Sequence, residues 1–461
     1  MSLSRYLINV KTTLVKIQLT AVLLILLAGA QLGCDSNSEK TAASVRLPDL
    51  RVPAEWEPQE SVWLAWPLYD NKHDWSSTDA FMQLLEQLLP AVKVNLCVPD
   101  DSTGAAVYNA LRSKNMPDTA LGNLQVRLFN YADVWLRDTG PIIVKDAKGF
   151  QAVDFRFNSW GWGEFVTLPG FKEQEGIEES VDRGIAKLLN IPVRSSELIL
   201  EGGAIEFNGR GTALVSEDVV FQRNPAWNKQ QVEEEFRRLF GVNNLIWLKG
   251  YTGNDAHPVL NAPFMVPFPN GSKPVYTVLT TNGHADEFVR FADAGTLLLA
   301  EAPDASEAEL NPISAQTRAT LLNARSVLLQ AKDQNGKAFK IKFMPEPKLL
   351  YATLNQQDEA FTLLSALDFK RLGKGNIDTV ASIQVVLAAS YCNFLVTNGL
   401  VLVAQYEGLD PELASSDMRA RKVLEEAFPG RTIVGLDVRA FNIGGGGIHC
   451  ITRNIPMGII P

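Results

Sequence analysis

The sequence predicts an α/β fold built from five strand-rich units with one helix each. Two observations predict it. Short apolar stretches of strand length recur between turn residues, and each set is followed by a segment with helical spacing and then another strand. In addition, the first unit lacks one hairpin strand, which the final segment IHCITRNIP is available to supply.

In the first unit ESVWLAWP reads as a strand. Phe81, Leu84, Leu85, Leu88 and Leu89 mark one helical face, and VKVNLCVP is a strand again. In the second, PIIVKDAKGFQAVDFRF reads as a hairpin, GIEESVDRGIAKLLN as an amphipathic helix and ELILEGG as a strand ending in a glycine pair. The third has a hairpin in AIEFNGRGTALV with an Asn-Gly turn, a helix in QQVEEEFRRLFG and a strand in NLIWLKG. The fourth has EFVRFADAGTLLLAEA, a helix near Glu309–Leu328 and FKIKFMP, and the fifth has NFLVTNGLVLVAQY, MRARKVLEEAF and RTIVGLD. The units share an order of elements, not a detectable sequence repeat.

Composition bounds the function. The chain has 461 residues, 46% hydrophobic and 21% charged, enough for one large core or two smaller ones. Its 43 Lys+Arg against 52 Asp+Glu give a net charge of -9, which repels nucleic acid and mildly favours cationic ligands.

The N-terminus differs in kind. Arg5, Lys11 and Lys16 precede an apolar run from Leu19 through Ala30, which leads into Gly33-Cys34, the pattern of a lipoprotein signal. The segment 1–34 is therefore expected to be the leader, with Cys34 lipidated, and 35–46 a polar tether. A single catalytic domain is expected over 47–461, exported and held at a membrane by the lipid. Cys97, Cys392 and Cys450 are the cysteines of that domain, an odd count without metal-finger spacing, so a disulfide framework is not expected. Cys97 reads as a core residue of an apolar strand.

Polar motifs stand immediately before the later hairpins or the closing strand. They are WLRDTGP (Trp135–Pro141), EGG (Glu201–Gly203), NGHADEF (Asn282–Phe288), SYCN (Ser390–Asn393) and GGGGIHC (Gly444–Cys450). In a ring of such units these strand entrances would face one axis and share a pocket. Cys450 follows a glycine run that can approach a ligand closely, although the residues alone fit a buried core cysteine equally well. His449, adjacent to it, would point to the opposite face of a strand and is a poor base. His284 and Asp286 are two apart, so on an extended segment they share a face, and a histidine there can protonate a departing amine and then take a proton from water. His73 and His257 lie in polar, turn-rich stretches and read as solvated. A metal reading of His284-x-Asp286 lacks further ligands. Asp138 and Glu201, taken alone, also fit turn-capping roles.

With these motifs assembled, the chain resembles the agmatine deiminase and Porphyromonas-type peptidylarginine deiminase family. The motifs are PAEWEPQESVWLAWP, WLRDTGP, DFRFNSWGWG, EGGAIEFNGRGTALVSE, RNP, GHADEFVRF, ASYCNFLVTNGLVLVAQY and FNIGGGGIHCITRNIP, in that order. The resemblance implies a five-bladed pseudo-symmetric α/β propeller, the pentein fold. It makes Cys450 the nucleophile, His284 the acid/base, and Asp138 and Asp286 the carboxylates that grip a guanidinium. Glu201 and Asn393 support the site, Trp135 lines it, and no cofactor or metal is implied. The chemistry implied is deimination of agmatine through a covalent cysteine thiouronium, with a small guanidinium molecule or an arginine-containing peptide as substrate. Export favours the peptidyl-arginine alternative, an amidinotransferase would share the chemistry, and a catalytically silent cation-binding lipoprotein is the reading from another class. Gly447 and Ala204 stand where family members usually carry Asn. Thr280-Thr281, after a Pro- and Gly-rich insertion Tyr251 to Val278, replaces a short acidic approach to the histidine motif.

Overall fold

In the computed structural model, described over residues 49–68, 75–367, 380–408 and 411–459, the first strand of the chain, Gln59–Ala65, takes its antiparallel neighbour from the last, Arg453–Pro456. The register sets Trp63 against Arg453 and Val62 against Asn454. The same strand pairs in parallel with Lys93–Val98, which pairs in parallel with Leu124–Leu128. Four further sheets repeat one order, an antiparallel hairpin whose second strand is joined in parallel by a third strand. They comprise Ile142–Asp146, Gly149–Arg156 and Val193–Ile199; Ile205–Phe207, Thr212–Ser216 and Asn244–Leu248; Val289–Asp293, Thr296–Ala300 and Lys340–Met344; and Leu395–Thr397, Leu400–Ala404 and Thr432–Leu436. Each crossover between antiparallel hairpin and parallel strand contains helix, because a parallel return needs a long connection.

Helix starts follow their caps. Ser76 accepts from the amide of Asp79 and opens Ser77–Leu88, whose buried face is Phe81, Leu84, Leu85 and Leu88 at helical spacing. Asn228 and Gln231 form a reciprocal capping box that opens Lys229–Phe240, which buries Val232, Phe236, Leu239 and Phe240. Two segments read as single helices are broken in two. Phe171–Glu178 is followed by Val181–Leu188, and Ala305–Leu310 by Pro312–Gln330, where Asn311 caps and Pro312 takes the first turn, in which no amide partner is needed.

A sixth sheet went unread in the sequence. The segment taken as an insertion forms the hairpin Phe264–Phe268 and Gly271–Thr277, and this joins Ser382–Val386 in parallel, with Tyr351–Asn355 on the far edge. Gly271 through Pro274 are exposed, so the strand shows no apolar alternation over half its length. The leader 1–34 with Cys34, the tether 35–46 and His73 lie outside the described residues.

Candidate functional site

The five polar motifs occupy one structural position. Asp138, Glu201, Asp286 and Asn393 stand two to four residues before the first strands of the four repeated sheets, Cys450 stands three before the strand that closes the first sheet, and His284 stands five before its strand. Closure of the first sheet by Arg453–Pro456 carries Cys450 to Asp138, since the amide of Arg137 donates to the carbonyl of Cys450 at 2.9 Å. Trp135, Asp138, His284, Glu287 and Cys450 share the wall of one cavity of about 350 Å³. Glu201, Asp286 and Asn393 are buried behind that wall.

Cys450 sits in a turn, not in the strand expected for it, and is 5% exposed. Asn393 organises it. The Asn393 Oδ1 accepts from the amides of His449 (2.9 Å) and Cys450 (3.3 Å), while Nδ2 lies 3.0 Å from the thiol Sγ and donates to Glu287 Oε1 at 2.9 Å. A side chain at Gly447 would place its Cβ 2.6 Å from Asn393 Oδ1, so the glycine at this position leaves room for that arrangement. Burial pushes the Cys450 thiol well up, and the carboxylates of Asp286, Glu287 and Asp138 add to it. Glu287, 3.5 Å from Sγ, is itself raised well above the carboxylate range by burial and by Asp286 and Asp255.

His284 lies in a field of carboxylates. Its Nδ1 is 3.8 Å from Asp138 Oδ2 and its Nε2 is 3.5 Å from Glu201 Oε2, beyond good hydrogen-bond length. Burial disfavours the imidazolium, but Asp138, Glu201 and Asp286 outweigh it and hold the pKa at about 10. Glu201 remains an anion although fully buried. Burial acts against that charge, but Arg223, whose Nε donates to Oε1 at 2.9 Å, brings the pKa to about 2. Asp138 is oriented by the Trp160 indole N–H on Oδ2 (2.8 Å) and the Gly203 amide on Oδ1 (2.9 Å), and burial raises its pKa. A Cβ at Gly203 would lie 2.4 Å from His284 Nδ1 and 3.1 Å from both Asp138 Oδ1 and Asp286 Oδ1. Three polar side-chain atoms thus converge on a position that only glycine leaves open.

Asp286 and its sequence neighbours depart from the expected extended conformation. Ala285–Glu287 is a 3₁₀ turn, preceded by Asn282 and Gly283 at positive φ. Asp255, inside the segment read as an insertion, causes this. It accepts from the amides of Thr281 (2.8 Å), Gly283 (2.7 Å) and His284 (3.0 Å) and from the Thr281 hydroxyl, gathering successive donors as a buried anchor. Asp255→Ala is expected to lower stability by about 3 kcal/mol through stranded buried amides, read by urea unfolding, and to reduce turnover because the turn carries both His284 and Asp286.

His449 makes no hydrogen bond to the thiol among the described residues, because two carboxylates take up its ring. Its Nδ1 lies 2.6 Å from Asp286 Oδ2 and its Nε2 2.9 Å from Glu55 Oε1. Glu55 also holds Arg137 and Arg290, each at 2.6 Å. Burial opposes its charge, but Arg137, His449 and Arg290 bring its pKa well below the usual range. This network fixes one oxygen of Asp286 and leaves Oδ1 without a hydrogen-bond partner among the described residues. His257 is a plain correction. It is fully buried, not solvated, with Nδ1 receiving the amides of Val259 and Leu260 at 3.3 Å each, because the loop around Asp255 folds inward. Cys97 is buried in its strand with its thiol pushed up to about 12 by burial. Cys392 is buried as well.

Among the described residues, Asp286, Glu287 and Cys450 bring ligand atoms within 4.8 Å of one another. Each already has a partner, His449 for Asp286 and Asn393 for the other two. Arg223, Asp255, Glu287, Arg290, Glu55 and Trp160 carried no role in the sequence reading. All but Asp255 fall inside the motifs quoted there.

A model of the Porphyromonas-type peptidyl-arginine deiminase family matches residues 51–261 and 269–456. The chain is 30% identical over 423 residues to an agmatine deiminase of Pseudomonas aeruginosa (strain LESB58), covering 89% of this chain and 96% of that protein. Among solved structures it is similar to the agmatine deiminase of Enterococcus faecalis, with TM-score 0.65 and 24% identity over 88% of this chain and 96% of that one. It is also similar to that of C. jejuni, with TM-score 0.59 and 22% identity over 89% and 96%. The fold is thus the mixed α/β fold of those structures.

Proposed function

The chain belongs to the Porphyromonas-type peptidyl-arginine deiminase family and is a hydrolase of the C–N bonds of amidines, and from that premise we propose that it deiminates agmatine to N-carbamoylputrescine and ammonia. The observation that carries this reading is the cavity in which Cys450, His284 and Asp138 meet with Asp286 directly behind them. A planar guanidinium offers paired donors to two carboxylates, which fixes its carbon for attack.

The resting pair is a neutral thiol and an imidazolium. A cation lodged against Asp138 and Asp286 offsets two of the charges that hold the thiol up, so the thiol releases its proton to solvent. The thiolate forms a C–S bond at the guanidinium carbon, and His284 gives its proton to the amino group, which departs as ammonia. Neutral His284 then takes a proton from water, hydroxide forms the C–O bond, the C–S bond breaks, and the thiolate recovers a proton. Asn393, 3.0 Å from Sγ, stabilises the thiolate as a donor. The five repeated sheets, with their common strand order and paired chain ends, support reading the fold as a five-bladed propeller around this site.

A ureido-product and ammonia assay tests the function on agmatine, free arginine, an internal-arginine peptide and a C-terminal-arginine peptide. Turnover of agmatine is expected, whereas turnover of peptides without agmatine would replace it with peptidyl-arginine deimination. Glu201→Gln removes one of the charges holding His284 near 10, so the alkaline limb of the kcat profile should move to lower pH. An unmoved limb would remove Glu201 from this role. The basic and apolar pattern ending at Cys34 further supports export with a lipid anchor, which membrane fractionation of Cys34→Ala would test.

A further inference from the structure

The cavity carries a second set of charges that the deimination steps leave unused. Asp133, Glu178 and Glu359 line it, and no lysine or arginine is among the described residues of its wall. Glu175, also on the wall, is already paired with Lys172 (2.7 Å) and the Ser159 hydroxyl (2.8 Å). The other three have no cationic partner among the described residues. Glu178 is 5% exposed, and its Oε1 accepts the amides of Ala132 (2.5 Å) and Asp133 (2.9 Å), while Oε2 has no hydrogen-bond partner among the described residues. Glu359 opens the helix Glu359–Ser365, at the cavity. Burial, and for Glu178 and Glu359 also the neighbouring Asp133, raise these carboxyls, to about 6 for Asp133 and about 7 for the other two. Acidic groups gathered around a shared space without a counter-charge are costly, and a bound cation relieves that cost.

Trp135 links this cluster to the reacting thiol. Its ring edge lies against Gly446, where a Cβ would be 2.7 Å from the indole Cζ3 and 3.0 Å from Cys450 Sγ. At the other end of the same indole, Nε1 donates to Asp133 Oδ2 at 3.0 Å. A substrate held by its guanidinium at the thiol can lay a short methylene chain along the indole, which brings the end of that chain toward Asp133.

Resting on the guanidinium reading above, we propose that Asp133, Glu178 and Glu359 form a distal cation site that selects guanidinium substrates ending in a primary ammonium. A carboxylate near that end, as in free arginine, would be repelled, and the uncharged backbone of an arginine in a peptide would gain nothing there.

The test compares kcat/KM for agmatine and butylguanidine, the latter having a hydrogen in place of the ammonium, in the full chain and in Glu359→Gln and Glu178→Gln. Agmatine is expected to exceed butylguanidine by about tenfold or more, and Glu359→Gln is expected to collapse most of that ratio. A ratio near one in the unmodified protein, or one that neither substitution changes, overturns the proposal while leaving deimination intact. If no guanidine is turned over, deimination itself fails. Calorimetry on the same two compounds then decides the distal site, and equal affinities overturn it.

Discussion

Cys450→Ala is expected to yield a folded protein whose ureido-product formation falls by at least about a thousandfold. On the proposed mechanism the loss follows from removing the nucleophile, since the thiol shares its cavity with His284 and Asp138 and is held 3.0 Å from Asn393. Stability should change by only about 1 kcal/mol, because one sulfur is removed beside an open cavity. Cys97→Ala and Cys392→Ala are the controls. Both thiols are buried away from that cavity, so a packing cost of about 1 kcal/mol should come with turnover within a few-fold. Equal losses in all three would mean that the defect is in folding. Ammonia release and urea unfolding on the same preparations separate the two.

Asp286→Asn should also reduce kcat/KM by about a thousandfold, for a different reason and with an opposite second effect. The substitution keeps the shape of the side chain but removes one of two charges that would grip a guanidinium, and it replaces the acceptor of the 2.6 Å contact from His449. Yet Asp286 is the strongest of the carboxylates that hold the Cys450 thiol up. Its neutralisation should make the thiolate more accessible at neutral pH, so alkylation by iodoacetamide should accelerate while deimination collapses. Parallel loss of both would show that Asp286 acts by maintaining structure.

The legible parts of this protein were those written in local pattern. The alternating and continuous apolar runs gave the hairpins and parallel strands of five units, and the need of Gln59–Ala65 for an antiparallel partner pointed to the terminal segment. The candidate residues were legible because each stands just before a strand, so a sequence offset translates into a spatial position. What escaped depends on tertiary neighbours. Arg223 and Asp255 look like ordinary surface charges in sequence, and their roles exist only because Glu201 and the loop Thr281–His284 are buried against them. The sixth sheet was hidden by an exposed, proline-bearing strand, and His257 by polar neighbours that turn inward. The 3₁₀ turn at Ala285–Glu287 replaced an extended segment because an acceptor distant in sequence gathered its amides.

The pairing of Gln59–Ala65 with Arg453–Pro456 has a thermodynamic consequence. The thiol lies beside Asp138 and His284 only while the two ends of the described chain are zipped together, so the proposed chemistry belongs to the closed molecule and not to any fragment. Fraying of that one seam would withdraw Cys450 from Asp138 and His284 without melting any other sheet. Loss of activity in mild denaturant should therefore precede loss of helix signal if the seam opens first, and coincide with it if closure and folding are one cooperative event.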